Sequence, residues 1–157
     1  MRITVRWLTA AAALAIFAAP LLAGADLALT GTWQLNLAKS HFSSGELPAK
    51  LALTIAAEGS DGIRYRSANL VAGKAGGAAW TAHFDGKQYP VTGTNDYDTV
   101  TVQKVNERTF HLQMRKNGEL TVDLTYTVAP DGKSLRRKGV SHKAGHENRF
   151  DEWFDRQ

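Results

Sequence analysis

The side chains in this sequence that could carry chemistry are few, and most stand in company that argues against a catalytic site. His142 and His146, followed by Glu147, have the separation that lets two imidazoles share a zinc ion when both lie on one helical turn. Here the intervening Lys143-Ala144-Gly145 reads as a turn that would not hold a ligand set rigid, so no metal site is assigned. His83 and His111 fall between apolar neighbours, Ala82/Phe84 and Phe110/Leu112, which places both imidazoles on the polar faces of their strands. The carboxylate pairs Asp96/Asp98 and Asp151/Glu152 read as solvated charges. No Gly-x-Ser-x-Gly occurs to raise a serine nucleophile, and the glycine-rich stretch Ala72 to Ala79 lacks the Lys-Ser/Thr step of a phosphate cradle. The chain has no cysteine, which removes thiolate catalysis, disulfides and cysteine-type zinc sites together. No catalytic residue, metal or cofactor is expected.

Two arginines remain. Arg64 and Arg66 share one strand face on either side of Tyr65 and read first as a solubilising surface, second as two guanidinium groups offered to an anion. Arg137 lies in register with Leu135 and is expected to project inward.

The elements that must position these groups are strands. Between Asp26 and Gln157 no apolar pattern at helical spacing lasts three turns, whereas alternation with period two recurs. Trp33, Leu35 and Leu37 alternate with polar residues, as do Leu51, Leu53 and Ile55, then Trp80, Ala82 and Phe84, then Val100 and Val102. Phe110, Leu112 and Met114 precede Leu120, Val122, Leu124, Tyr126 and Val128. Ser134 to Ser141 and Asn148 to Arg156 supply the last two strands. Asp85-Gly86-Lys87, Lys116-Asn117-Gly118 and Pro130-Asp131-Gly132 are short turn signals that leave room only for antiparallel neighbours. Eight to ten such strands, each with one apolar face, are expected to curl into a single up-and-down β-barrel, which also removes exposed edges. A two-sheet β-sandwich is the alternative. The irregular stretch Lys39 to Lys50 reads as a lid or a short helix beside one end.

The N-terminus has a different composition. Arg2 and Arg6 precede an apolar run from Leu8 to Leu22 that ends in Ala23-Gly24-Ala25, so residues 1–25 read as a cleavable signal peptide and residues 26–157 as one exported domain, periplasmic or secreted. Removing the two arginines leaves 17 basic residues against 15 acidic, a net charge of +2. That excess is too small and too dispersed to point to nucleic acid. No membrane anchor is expected after cleavage, and the domain is read as a monomer.

The segment Gly31-Thr32-Trp33-Gln34-Leu35-Asn36, with Lys39-Ser40-His41-Phe42 behind it, resembles the opening of lipocalin-like, calycin-type barrels. More closely it is similar to a group of exported bacterial proteins without an established activity, which share Phe84-Asp85-Gly86-Lys87-Gln88-Tyr89-Pro90-Val91-Thr92-Gly93 and Asp98-Thr99-Val100. The resemblance implies that Trp33 lies across the base of a barrel and that a late arginine, Arg149 or Arg156, packs over it. No Arg-x-Tyr pair stands near the C-terminus, so the carboxylate grip of intracellular fatty-acid-binding barrels is not carried over.

The expected function is therefore the binding of a small apolar or amphipathic molecule inside the barrel, with Trp33, Tyr65, Trp80, Phe84, Phe110, Leu124, Tyr126 and Arg137 as lining residues. An envelope interaction protein or secreted inhibitor is the second reading, and a cavity enzyme the third.

Overall fold

The computed structural model describes residues 27–44, 47–143 and 145–157. The signal-peptide expectation lies outside the described residues.

The described residues form twelve strands: β1 (Gly31–Leu35), β2 (His41–Phe42), β3 (Pro48–Glu58), β4 (Gly62–Val71), β5 (Lys74–Gly76), β6 (Ala79–His83), β7 (Tyr89–Pro90), β8 (Thr99–Asn106), β9 (Thr109–Lys116), β10 (Glu119–Val128), β11 (Ser134–Lys143) and β12 (His146–Arg156). Nine have five or more residues, within the expected eight to ten, and the others are short edge pieces. All pairings are antiparallel, in the order β5-β4-β3-β1-β12-β11-β10-β9-β8-β7, with β6 on β4 and β2 on β12. The sheet curls until β6 meets the chain just beyond β7. There Ala79 and Thr92 exchange two backbone hydrogen bonds, of 2.9 and 3.0 Å. This bridge closes the ring, and the barrel expected from the alternation stands over the sandwich.

Period-two alternation decides what faces inward. Trp33, Leu53, Ile63, Val100, Val102, Phe110, Leu112, Tyr126, Leu135 and Phe154 are wholly buried. The turns use glycine where the backbone needs a positive φ, as at Gly118 (83°) and Gly132 (70°). Gly139 has a different reason. A Cβ there would lie 2.3 Å from the Asp123 carbonyl, so only glycine lets β10 and β11 approach so closely.

One end is sealed by the chain's own first described residues. Leu27 and Leu29 are buried beneath Trp33, whose indole N–H donates to the Leu29 carbonyl at 3.0 Å. Of the two candidate covering arginines it is Arg156 that lies over the Trp33 ring, 4.1 Å from its centre. Its guanidinium donates to the carbonyls of Gly132, Thr30 and Ala28 at 2.6, 2.6 and 2.9 Å. At the other end Val122, Ser141, Asn69 and Tyr97 stay half-buried.

The stretch after β1 corrects an expectation. A single 3₁₀ turn, Leu37–Lys39, is capped by Asn36, and Ser40 accepts the Trp153 backbone N–H at 2.9 Å. β2 then pairs with β12, and Ser43 exchanges hydrogen bonds with the Arg149 backbone. Ser43 and Ser44 also bond the Asn148 side chain, so residues 40–44 are strapped to β12 by backbone and side-chain hydrogen bonds rather than forming a lid. Lys50 belongs to β3.

Candidate functional site

Among the described residues the interior carries a polar cluster, built by alternation on adjacent strands. On β11, Leu135, Arg137 and Gly139 share the inward face; on β12 the matching residues are Phe154, Glu152 and Phe150. Arg137 and Glu152 are direct cross-strand partners, and the guanidinium Nε donates to Glu152 Oε2. Glu152 is 3 % exposed, which corrects its reading as a solvated charge. A carboxylate can stay ionised at such a position only beside a cation that replaces its hydration.

Arg137 is gripped on three sides. Its guanidinium carbon lies 5.6 Å from the Phe150 ring centre and 5.5 Å from that of Phe154, the two aromatic neighbours of Glu152 on the same face. Burial opposes its charge, but Glu152 outweighs that and holds it above the ordinary guanidinium value. The side chain still keeps 16 % of its surface accessible, against 4 % for that of Glu152. Part of the Arg137 side chain thus stays accessible, while Glu152 is enclosed.

Tyr126, wholly buried on β10, is the neighbour of Arg137 on the other side. Burial, reinforced by Tyr65, pushes its hydroxyl well above the usual phenol range. Both Arg137 and Tyr65 are near enough to act on that hydroxyl, yet no side chain or backbone group meets it in hydrogen-bond geometry. Across the interior Tyr65 stacks on Trp80, with ring centres 4.6 Å apart and planes 11° from parallel. The Trp80 indole N–H is likewise buried without a partner. Tyr97 completes the group from the loop before β8. Burial raises its hydroxyl, Tyr65 adds to the effect and Arg137 counters it.

Of the expected lining residues, the structure thus brings Tyr65, Trp80, Tyr126 and Arg137 together. Phe84 and Phe110 pack on each other nearby, with ring centres 5.6 Å apart. Leu124 is buried opposite Gly139. Trp33 belongs instead to the sealed base, where its indole bonds Leu29. Glu152 and Tyr97 are additions. The parity of Phe150, Glu152 and Phe154 was the signal for the first, whereas Tyr97 sits in an aperiodic loop that carries no such signal.

The remaining candidates stay outside. His83 and His111 face outward, bonded to Asp61 at 3.1 Å and Asp123 at 2.8 Å. His142 and His146 stand across the β11–β12 hairpin from Glu147 and Lys143. Arg64 is held by Glu58 at 2.5 Å, and it borders with Arg66 an outer groove of 730 Å³ over β3, β4 and β6.

Three solved barrels share this architecture. The crystal structure of Rv2717c from M. tuberculosis superposes with a TM-score of 0.55 at 13 % identity, over 83 % of this chain and 93 % of that one. A redesigned β-barrel, b11L5F_LGL, gives 0.52 at 11 % identity over 83 % and 92 %. The protein EF1p2_mFAP2b, solved bound to DFHBI, gives 0.51 at 9 % identity over 83 % and 94 %. At these identities the likeness is one of fold. No protein-family model matches the chain, and no curated protein does.

Proposed function

We propose that this protein is an exported carrier or sensor that holds one small amphipathic molecule inside its barrel, against the cluster of Tyr65, Trp80, Tyr126 and Arg137. The observation that carries the reading is the pair of buried donors without a hydrogen-bond partner among the described residues, the Tyr126 hydroxyl and the Trp80 indole, in the cluster that holds the partly accessible Arg137 side chain. Leaving a buried donor unpaired costs about 1–3 kcal/mol. Folded chains avoid that cost unless the group has a task. A bound molecule with matching acceptors would remove both penalties at once.

Two further features support the reading. The barrel is closed at one end by Trp33 and Arg156 and keeps half-buried side chains at the other, which suits entry from one side. A barrel of the same architecture, EF1p2_mFAP2b, was solved with the small molecule DFHBI. The signal-peptide character of residues 1–25 supports a location in the periplasm or the medium.

The test is native mass spectrometry of the protein purified from the exported fraction of its own host. A stoichiometric adduct lost on solvent extraction, on a chain beginning at Asp26, is the expected result. A bare mass, together with failure of the extracted protein to enhance an environment-sensitive apolar dye, would overturn the binding reading. Recovery only as the uncleaved chain in the cytoplasm would overturn the localisation.

A further inference from the structure

We infer that the molecule held in the barrel presents an uncharged hydrogen-bond acceptor, such as a ketone, quinone, ester or amide carbonyl, to the cluster of Tyr126, Trp80 and Arg137, and that the site discriminates against carboxylates. This rests on the binding reading above and adds the chemistry of the head group.

The cluster is rich in donors. Tyr126 offers a hydroxyl, Trp80 an indole N–H, and Arg137 the N–H groups not engaged with Glu152. An acceptor-bearing ligand satisfies them, whereas a hydrocarbon leaves them as they are. An inward-pointing arginine in a barrel would ordinarily suggest a carboxylate ligand. Here the charge is already answered: Glu152, 3 % exposed and paired with Arg137, makes the cluster electrically neutral. A carboxylate entering this space would bring an uncompensated negative charge among Phe150, Phe154 and Trp80, and would face Glu152. The attraction of Arg137 and the repulsion of Glu152 act over similar distances and largely cancel, leaving the desolvation of the incoming anion unopposed. A carbonyl dipole carries no such penalty and accepts the same hydrogen bonds. Glu152 is therefore a specificity-determining residue, the internal counter-ion that keeps Arg137 from capturing acids.

The test uses the full-length chain after expression, processing and solvent extraction, with an apolar fluorescent dye as the reporter. The competitors are a matched pair, hexadecanoic acid and hexadecan-2-one, at neutral pH. The ketone is expected to displace the dye at a concentration roughly tenfold or more below that needed for the acid. In Glu152→Gln the order should invert, because Arg137 then lacks a counter-ion. In Tyr126→Phe the ketone should lose roughly five- to tenfold in affinity, corrected for the dye's own affinity measured for that variant. If Glu152→Gln does not fold, the Tyr126→Phe result and the wild-type preference still decide. A wild-type protein that binds the dye and takes the acid at least as well as the ketone overturns this inference and leaves the binding reading intact. A Tyr126→Phe variant that binds the ketone unchanged also overturns it. Absence of any dye binding overturns the binding reading itself, and this inference with it.

Discussion

Tyr126→Phe is the substitution on which the structural argument is most exposed, because it should stabilise the ligand-free protein. The ring is wholly buried and would stay where it is, opposite Phe110 on β9 and Arg137 on β11. Only the hydroxyl oxygen leaves, and that oxygen has no hydrogen-bond partner. Removing an unsatisfied buried hydroxyl returns about 1–3 kcal/mol. The void left by one oxygen takes back about 0.2–0.5 kcal/mol, and lost dipole contact with Arg137 takes back a similar amount. The net gain is about 1–2 kcal/mol. In urea, with a slope near 1–2 kcal/mol/M for a domain of this size, the midpoint should rise by about 0.5–2 M without a change in slope. The measurement must use solvent-extracted protein, since a bound acceptor would satisfy the hydroxyl and reverse the sign. A variant destabilised by about 1 kcal/mol or more under those conditions would show that the hydroxyl is bonded within the protein. Trp33→Phe is the internal contrast. Its indole N–H is partnered by Leu29 and its ring covered by Arg156, so this change should cost about 2–3 kcal/mol.

Further expectations concern the charges. Arg137→Met or Glu152→Leu alone should cost about 3–5 kcal/mol by stranding a buried charge, whereas the double variant should lie within about 1 kcal/mol of the parent; a urea double-mutant cycle reads this directly. Gly31→Ala should destabilise by about 2 kcal/mol or more and perturb Trp33 fluorescence, because φ is +133° and the new Cβ would stand 2.4 Å from the Arg156 guanidinium. At Asp85, backbone donation from Lys87 lowers the carboxyl to about 2, with help from the Lys87 and Tyr89 side chains. Its folded value lies below the unfolded one, so its contribution is present above pH 3.8 and lost as the pH falls through about 2. A carboxyl-carbon NMR titration checks this. For Asp123 burial pulls the other way, but hydrogen bonds from Gln113 and His111 prevail and the value is lowered. Its contribution is likewise lost on the acid side, and Gln113→Leu should move its titration upward.

The β-barrel could be read from the sequence because alternation with period two survives wherever one face of a strand is buried, and turn signals bound nearly every strand. Register and closure could not. β1 pairs with β12 across almost the whole chain, and nothing local to Trp33 or Arg156 records that they are opposite one another. The site was half visible. Arg137 shows its inward direction through Leu135, and the aromatic members follow from their strands. Glu152 was hidden because Trp153 beside it is also apolar and blurs the parity of Phe150 and Phe154. In the structure Trp153 is on the outer face, covered by Arg136, which is held by Asp151 at 2.7 and 2.5 Å. Tyr97 depended on a loop folding back, which no periodicity encodes.

β12 supplies the counter-ion of the internal cluster, the cover over Trp33 and the partner that joins β1 to the rest of the ring. The ribosome releases that strand after every other one described. Until Glu152 and Arg156 emerge, the nascent chain has an unbalanced Arg137, an uncovered base and a sheet with two loose margins. Strands β8 to β11 can zip together as local hairpins in the meantime, but the ring cannot close. Acquisition of the native state is thus tied to the emergence of β12, and a chain interrupted before that strand would be left for proteolysis.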